Sequence, residues 1–176
     1  MQFDDVFGNE TMSAPNEVTF DNFLTLFPVT QLPINLSSEL TRAISELQQP
    51  LAEAWVVRFL LDTDEWLDDY SEFMPCFRLP DTHTFIALVY WRADLLGNSF
   101  RLITFTPAGE VIDRCVLAGT KYEEKELIQT VCTIQPNHTI SQVLGRLDAK
   151  TGKRLALNKE DQAILQLTTE GDILEL

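Results

Sequence analysis

The sequence predicts an α+β fold, with N-terminal helices packed on a twisted antiparallel β-meander of about seven strands. Three observations carry that expectation. From about residue 84, apolar runs of strand length are cut at short intervals by turn residues. Within that region, 100–105, the turn Thr106-Pro107-Ala108-Gly109 and 110–117 form a hairpin by local chemistry alone. Ahead of residue 74, apolar side chains recur instead at the three- and four-residue spacing of a helix face.

Residues 1–19 are polar and acidic, with Gly8, Ser13, Pro15 and Asn16 and no sustained periodicity, and are expected to form a flexible acidic arm. Residues 20–176 are expected to make a single α+β domain, with 20–73 mainly helical and 74–176 mainly antiparallel strands. Proline at 28 and 33 interrupts an apolar stretch, which predicts a short helical turn and then an extended packing strap over 20–34.

A helix then begins at Ser37 or Ser38, carrying Leu40, Ala43, Ile44 and Leu47 on one face. Pro50 ends it and opens a second helical stretch to about Phe73. At 100° per residue, Trp55, Val56, Phe59, Leu60, Trp66, Leu67, Tyr70 and Phe73 share an arc of about 140°. The like-charged pairs Asp64/Asp68, Glu65/Asp69 and Asp68/Glu72 oppose one straight helix. Asp62-Thr63-Asp64-Glu65 resembles a capping box, so two short helices meeting near Asp62 are expected, their aromatic arc on the sheet.

The strands expected next are 74–79, 84–92, 100–105, 110–117, 126–134 and 139–147, followed by segments near 154–157, 163–168 and 172–176. The run 84–92 is almost wholly apolar, as in a strand covered on both faces. Phe105-Thr106-Pro107-Ala108-Gly109 and Leu167-Thr168-Thr169-Glu170-Gly171 parallel each other, each predicting a type I turn closed by a left-handed glycine.

Charge limits the function classes. The net charge is −14, of which residues 1–80 hold −11 (14 acids, 3 bases) and residues 81–176 hold −3 (13 acids, 10 bases). Phosphate backbones and anionic membranes repel such a surface, so neither nucleic acid nor membrane is an expected partner. A basic protein is the expected one. No apolar stretch approaches the roughly 20 residues of a membrane-spanning helix. The opening Met1-Gln2-Phe3-Asp4-Asp5 is acidic and unlike a secretory leader, so a cytoplasmic location is expected. Cys76, Cys115 and Cys132 read as reduced core thiols, although Cys115 and Cys132 are placed to face each other across a hairpin turning near Glu123 and Glu124.

The main concentration of functional groups is the acidic run whose carboxylates are Asp62, Asp64, Glu65, Asp68, Asp69 and Glu72. It reads as a solvated ridge able to dock a basic partner. It fails the EF-hand template, with no glycine at the sixth position and Phe73 at the twelfth, and no metal or cofactor is expected. His138, Ser141 and Asp148 lack the context of a hydrolase triad, because Ser141 has no nucleophile elbow. Gly145 and Gly152-Lys153 are too far apart for a phosphate loop, and Arg154 stands where serine or threonine is needed, so 150–154 reads as a basic turn.

Two functions follow as expectations. The first is a non-catalytic, acidic interaction module, inhibitor- or immunity-like, that presents the carboxylate-rich face to a basic partner. The alternative is a small-molecule- or metal-binding protein, or an enzyme, with a pocket between helices and sheet.

Overall fold

The computed structural model describes residues 17–62, 67, 69–156 and 158–176, so most of the arm expected over 1–19 lies outside the described residues. The strands are β1 (Ile34–Leu36), β2 (Glu72–Arg78), β3 (Ile86–Asp94), β4 (Gly97–Phe105), β5 (Val111–Glu123), β6 (Glu126–Ile134), β7 (Thr139–Asp148), β8 (Gln162–Leu167) and β9 (Ile173–Glu175). All pair antiparallel, in the order β2-β3-β4-β5-β6-β7-β8-β9, with β1 added beside β6. The meander expected from the sequence is therefore present. It has nine strands rather than about seven: the strap contributes Ile34–Leu36, and the segments near 163–168 and 172–176 pair as β8 and β9, whereas the segment near 154–157 makes, among its described residues, only the bridge of Arg154 to Leu147.

The helical part is smaller than expected. It comprises α1 (Phe20–Leu24), α2 (Ser38–Leu47) and α3 (Glu53–Trp55), the last running into a π-helical turn at Val56–Leu60. No helix reaches Phe73: Asp69 and Tyr70 lie in a turn, and Glu72 and Phe73 begin β2 opposite Ala93 and Arg92. Pairing with β3 outweighs the helical spacing there. Tyr70, expected on the core arc, is 68% exposed, whereas Phe59 and Phe73 are buried. Trp66 lies outside the described residues.

The sheet divides at β5. That strand pairs with β4 from Val111 to Lys121 but with β6 only from Gly119 to Glu123. The other end of β6 pairs with β1 instead, Leu36 opposite Cys132 and Ile34 opposite Ile134. Beyond the division, the first half of β5 lies across β7 and β9. Gln142 Nε2 donates to the Val116 and Leu117 carbonyls at 2.8 Å, and Ile173 N donates to Asp113 Oδ2 at 2.9 Å. Two glycines permit the tight crossing of β4 and β5. A Cβ on Gly119 (φ 154) would lie 2.2 Å from the Asn98 carbonyl oxygen, and one on Gly97 would lie 2.2 Å from that of Thr120.

Two apolar clusters result. One fills the space between the plies, with Ala87, Val89 and Trp91 of β3 and Phe100 and Leu102 of β4 meeting Cys132, Ile134, Ile140 and Leu165. The other covers the opposite face of β3 and β4, where Leu88, Tyr90, Ile103 and Phe105 meet Phe23, Phe27, Val56, Phe59 and Leu60. The alternation of β3 thus serves two cores, as its uninterrupted apolar run predicts. Ring packing fixes the second core: Phe23 stacks on Phe59 at 4.7 Å and on Trp55 at 5.9 Å.

The two matched turns form as expected. Gly109 (φ 87) donates to the Thr106 carbonyl at 2.9 Å, and Gly171 (φ 97) donates to that of Thr168 at 3.3 Å. Thr104 Oγ1, fully buried in β4, donates to the Gly171 carbonyl at 2.7 Å and accepts from Asp113 N at 3.1 Å, which latches the last turn to the centre of the sheet.

Candidate functional site

The acidic run is divided by the fold. Asp64, Glu65 and Asp68 lie outside the described residues. Asp62 follows the π-helical turn and faces a base, its Oδ2 standing 4.0 Å from Arg114 Nε of β5. The same guanidinium donates from Nη1 to the Leu60 carbonyl at 2.9 Å, placing a cation against the exposed end of the turn. Asp69 and Glu72 are exposed on either side of Ser71.

Asp69 and Glu72 are brought together with Glu53, a residue the acidic run does not include. All three line a recess of about 380 Å³ between the α3 segment and the head of β2, over a floor of Leu51, Val56, Leu67 and Phe73. Leu51 N donates to the Phe73 carbonyl at 2.7 Å and fixes one wall to the other. No Lys, Arg or His is among the described lining residues. Arg92 packs on the floor residue Phe73, its guanidinium 5.1 Å from the ring centre, and donates from Nε to Asp94 Oδ1 at 2.9 Å. Ser71 Oγ donates to the same oxygen at 3.0 Å. Glu53 escapes detection from sequence because it stands sixteen residues before Asp69, and only the return of the chain into β2 brings it back.

A recess of this kind suits a long cationic side chain. The apolar floor takes an aliphatic stem and the rim carboxylates take the charged head. Among the described residues, no group of three or more His, Cys, Asp or Glu is placed to hold a metal ion. The larger aromatics form no ligand pocket among the described residues: Tyr90 and Trp91 are buried on opposite faces of β3, and Trp55 stacks in the second core.

A larger notch of about 460 Å³ opens where β5 leaves β6, over Val116, Ile128 and Leu144. Lys121 is paired with Glu123 at its rim. A third recess, about 310 Å³, holds both histidines at the end of the sheet. There His138 (φ 61) hydrogen-bonds through Nε2 to the Pro80 carbonyl at 2.9 Å, tying two turns together. His138, Ser141 and Asp148 are not assembled. Asp148 closes the opposite end of β7, accepting from Thr151 N at 2.7 Å, Thr151 Oγ1 at 2.9 Å and Lys150 N at 3.0 Å. Those bonds hold its carboxyl below the usual range, and they build the basic turn at 150–154.

All three cysteines are free thiols, and burial pushes Cys115 and Cys132 up to about 12. Among the described residues no helix is long and apolar enough to cross a membrane. No family model, curated protein or solved structure matches the chain.

Proposed function

We propose that this protein is a non-catalytic interaction module that binds a basic protein partner, acting in the cytoplasm in the manner of an inhibitor or immunity protein. The observation that carries the reading is the recess in which Glu53, Asp69 and Glu72 converge over apolar side chains, with no base among its described lining residues. The concentration of acid in residues 1–80 supports it, since long-range attraction to a cationic partner raises the encounter rate. Unbridged Cys115 and Cys132 are in keeping with a reducing compartment.

On this reading the partner inserts a lysine or arginine into the recess, and the other carboxylates of the acidic run 62–72 add to the long-range attraction. The test measures binding of lysine- and arginine-rich peptides to the full chain over a range of salt. Glu53→Gln/Asp69→Asn/Glu72→Gln is expected to weaken binding at least about tenfold and flatten its salt dependence. Glu110→Gln/Glu160→Gln/Glu170→Gln removes equal charge at exposed sites elsewhere and is expected to weaken it far less. Equal losses in the two variants would reduce the recess to a part of the general acidity.

A further inference from the structure

The acidic recess stands at one end of the sheet, and the register carries that same end from β2 to β7. Glu72 lies opposite Ala93, Asp94 opposite Gly97, Gly97 opposite Lys121, Glu123 opposite Glu126, and Glu126 opposite Asp148. Charge changes sign along this edge. Residues 121–126 and 146–154 hold +2 (6 bases, 4 acids), so the rest of the chain holds −16 of the net −14. Lys121 is paired with Glu123, and Arg146 with Glu126 and Asp161. Lys125, Lys150, Lys153 and Arg154 are exposed, with Glu124 exposed beside them. Ala149 N donates to the Lys125 carbonyl at 2.8 Å and holds the two basic turns together. Asp148, the acid of the second turn, directs its carboxylate to the amides of Lys150 and Thr151.

Between the two signs the surface is apolar. Leu95 and Leu96 form the two-residue connection of β3 to β4 and are 72% and 62% exposed. Turns of this length favour glycine, asparagine or aspartate, and neither leucine belongs to either apolar cluster. Tyr122, 55% exposed, adjoins them, its N donating to the Leu96 carbonyl at 2.9 Å. The fold gains little burial from three large apolar side chains placed here.

We infer that this end of the sheet is a single docking surface for a protein partner of matching polarity, whose contact face carries bases, an apolar centre and acids side by side. The inference rests on the recess proposed above and adds an acidic side to the partner's contact. Glu53, Asp69 and Glu72 face the bases, Leu95, Leu96 and Tyr122 the apolar centre, and the 125 and 150–154 bases face the acids. Charge complementarity selects this occupant, because a uniformly basic face would set like charges against the 150–154 turn. Five strand spacings of about 4.8 Å give the edge a length of roughly 24 Å. A standard interface of about 800 Å² per partner is roughly 28 Å across, so the edge is of the right extent.

Two peptides of about twelve residues and identical composition, titrated into the full chain, provide the test, since about seven extended residues span the edge. The block peptide carries lysines, then leucines, then glutamates, and its isomer alternates lysine with glutamate around the leucines. The block peptide is expected to bind at least about tenfold tighter. Lys150→Glu/Lys153→Glu is expected to remove that advantage, while a lysine-rich peptide binds the variant no less tightly than the parent. Leu95→Ser/Leu96→Ser is expected to weaken the block peptide, with the circular dichroism spectrum unchanged. Equal binding of the two isomers would overturn the inference, as would an advantage that Lys150→Glu/Lys153→Glu retains. If the lysine-rich peptide were then still weakened by Glu53→Gln/Asp69→Asn/Glu72→Gln, only the extended surface would be lost. Without that weakening the recess reading falls as well.

Discussion

The two plies of one antiparallel sheet are buried in different ways. Strands β3 and β4 are covered on both faces, with Leu88, Val89, Leu102 and Ile103 all fully buried. Among the described residues, strands β6 to β8 are covered on one face only: Cys132 and Ile140 are buried while their neighbours Val131 and Ser141 are exposed. The contrast teaches where stability is concentrated and where surface remains for partners. Among the described residues, α1 and the α3 segment cover the outer side of the first ply, whereas α2 packs beside β1 and β2 and Val131, Val143 and Ile164 stay exposed.

Core truncation tests this most severely. Leu88→Ala is expected to cost about 2–5 kcal/mol in chemical denaturation, because it opens a cavity under Phe23 and Phe59. Val143→Ala, on the bare face, is expected to stay within about 0.5 kcal/mol. Equal losses at the two positions would erase the distinction.

The crossing itself comes next. Gly119→Ala places a Cβ against the Asn98 carbonyl at a φ of 154, so a loss of about 2–3 kcal/mol is expected. A neutral result there would mean that β5 relaxes at the division without cost. Thr104→Val removes the buried hydroxyl that joins Asp113 N to the Gly171 carbonyl, and about 1–2 kcal/mol should be lost. That change should free the β9 end of the second ply first, visible as faster exchange of the Ile173 amide.

The smallest effect concerns the thiols between the plies. Cys115 and Cys132 keep their protons to about pH 12 when folded, against about 9 when unfolded. The stability this contributes is complete below about pH 9 and declines as pH rises towards 12. Alkylation at pH 8 should accordingly be slow in the native protein and become fast on unfolding. Fast native alkylation of Cys132 would show that the plies open readily.

Much of the first ply was legible in the sequence, and the reasons are local. The 84–92 run announced a strand with two buried faces, and Gly109 and Gly171 announced their turns because each turn type demands a positive φ. What could not be read depends on contacts distant along the chain. The segment Ile34–Leu36 is three residues long, too short for any periodicity, and becomes a strand only by pairing with residues 132–134. Over 51–73, aromatic spacing suited a helix throughout, yet Phe73 is held in β2 by Arg92 opposite and Tyr70 is turned out to solvent. The candidate site shares that origin. Asp69 and Glu72 stood out as members of an acidic run, whereas Glu53 joined them only through folding, and Asp62 was drawn away by Arg114.

Native-state amide hydrogen exchange tests the difference between the plies most directly. Two-sided burial predicts that amides of residues 88–90 and 102–104 exchange only through global unfolding, whereas those of residues 162–166 and 173–175 open at lower free energy. Equal protection across β3, β4, β8 and β9 would contradict the account, since the bare ply would then be as tightly held as the covered one.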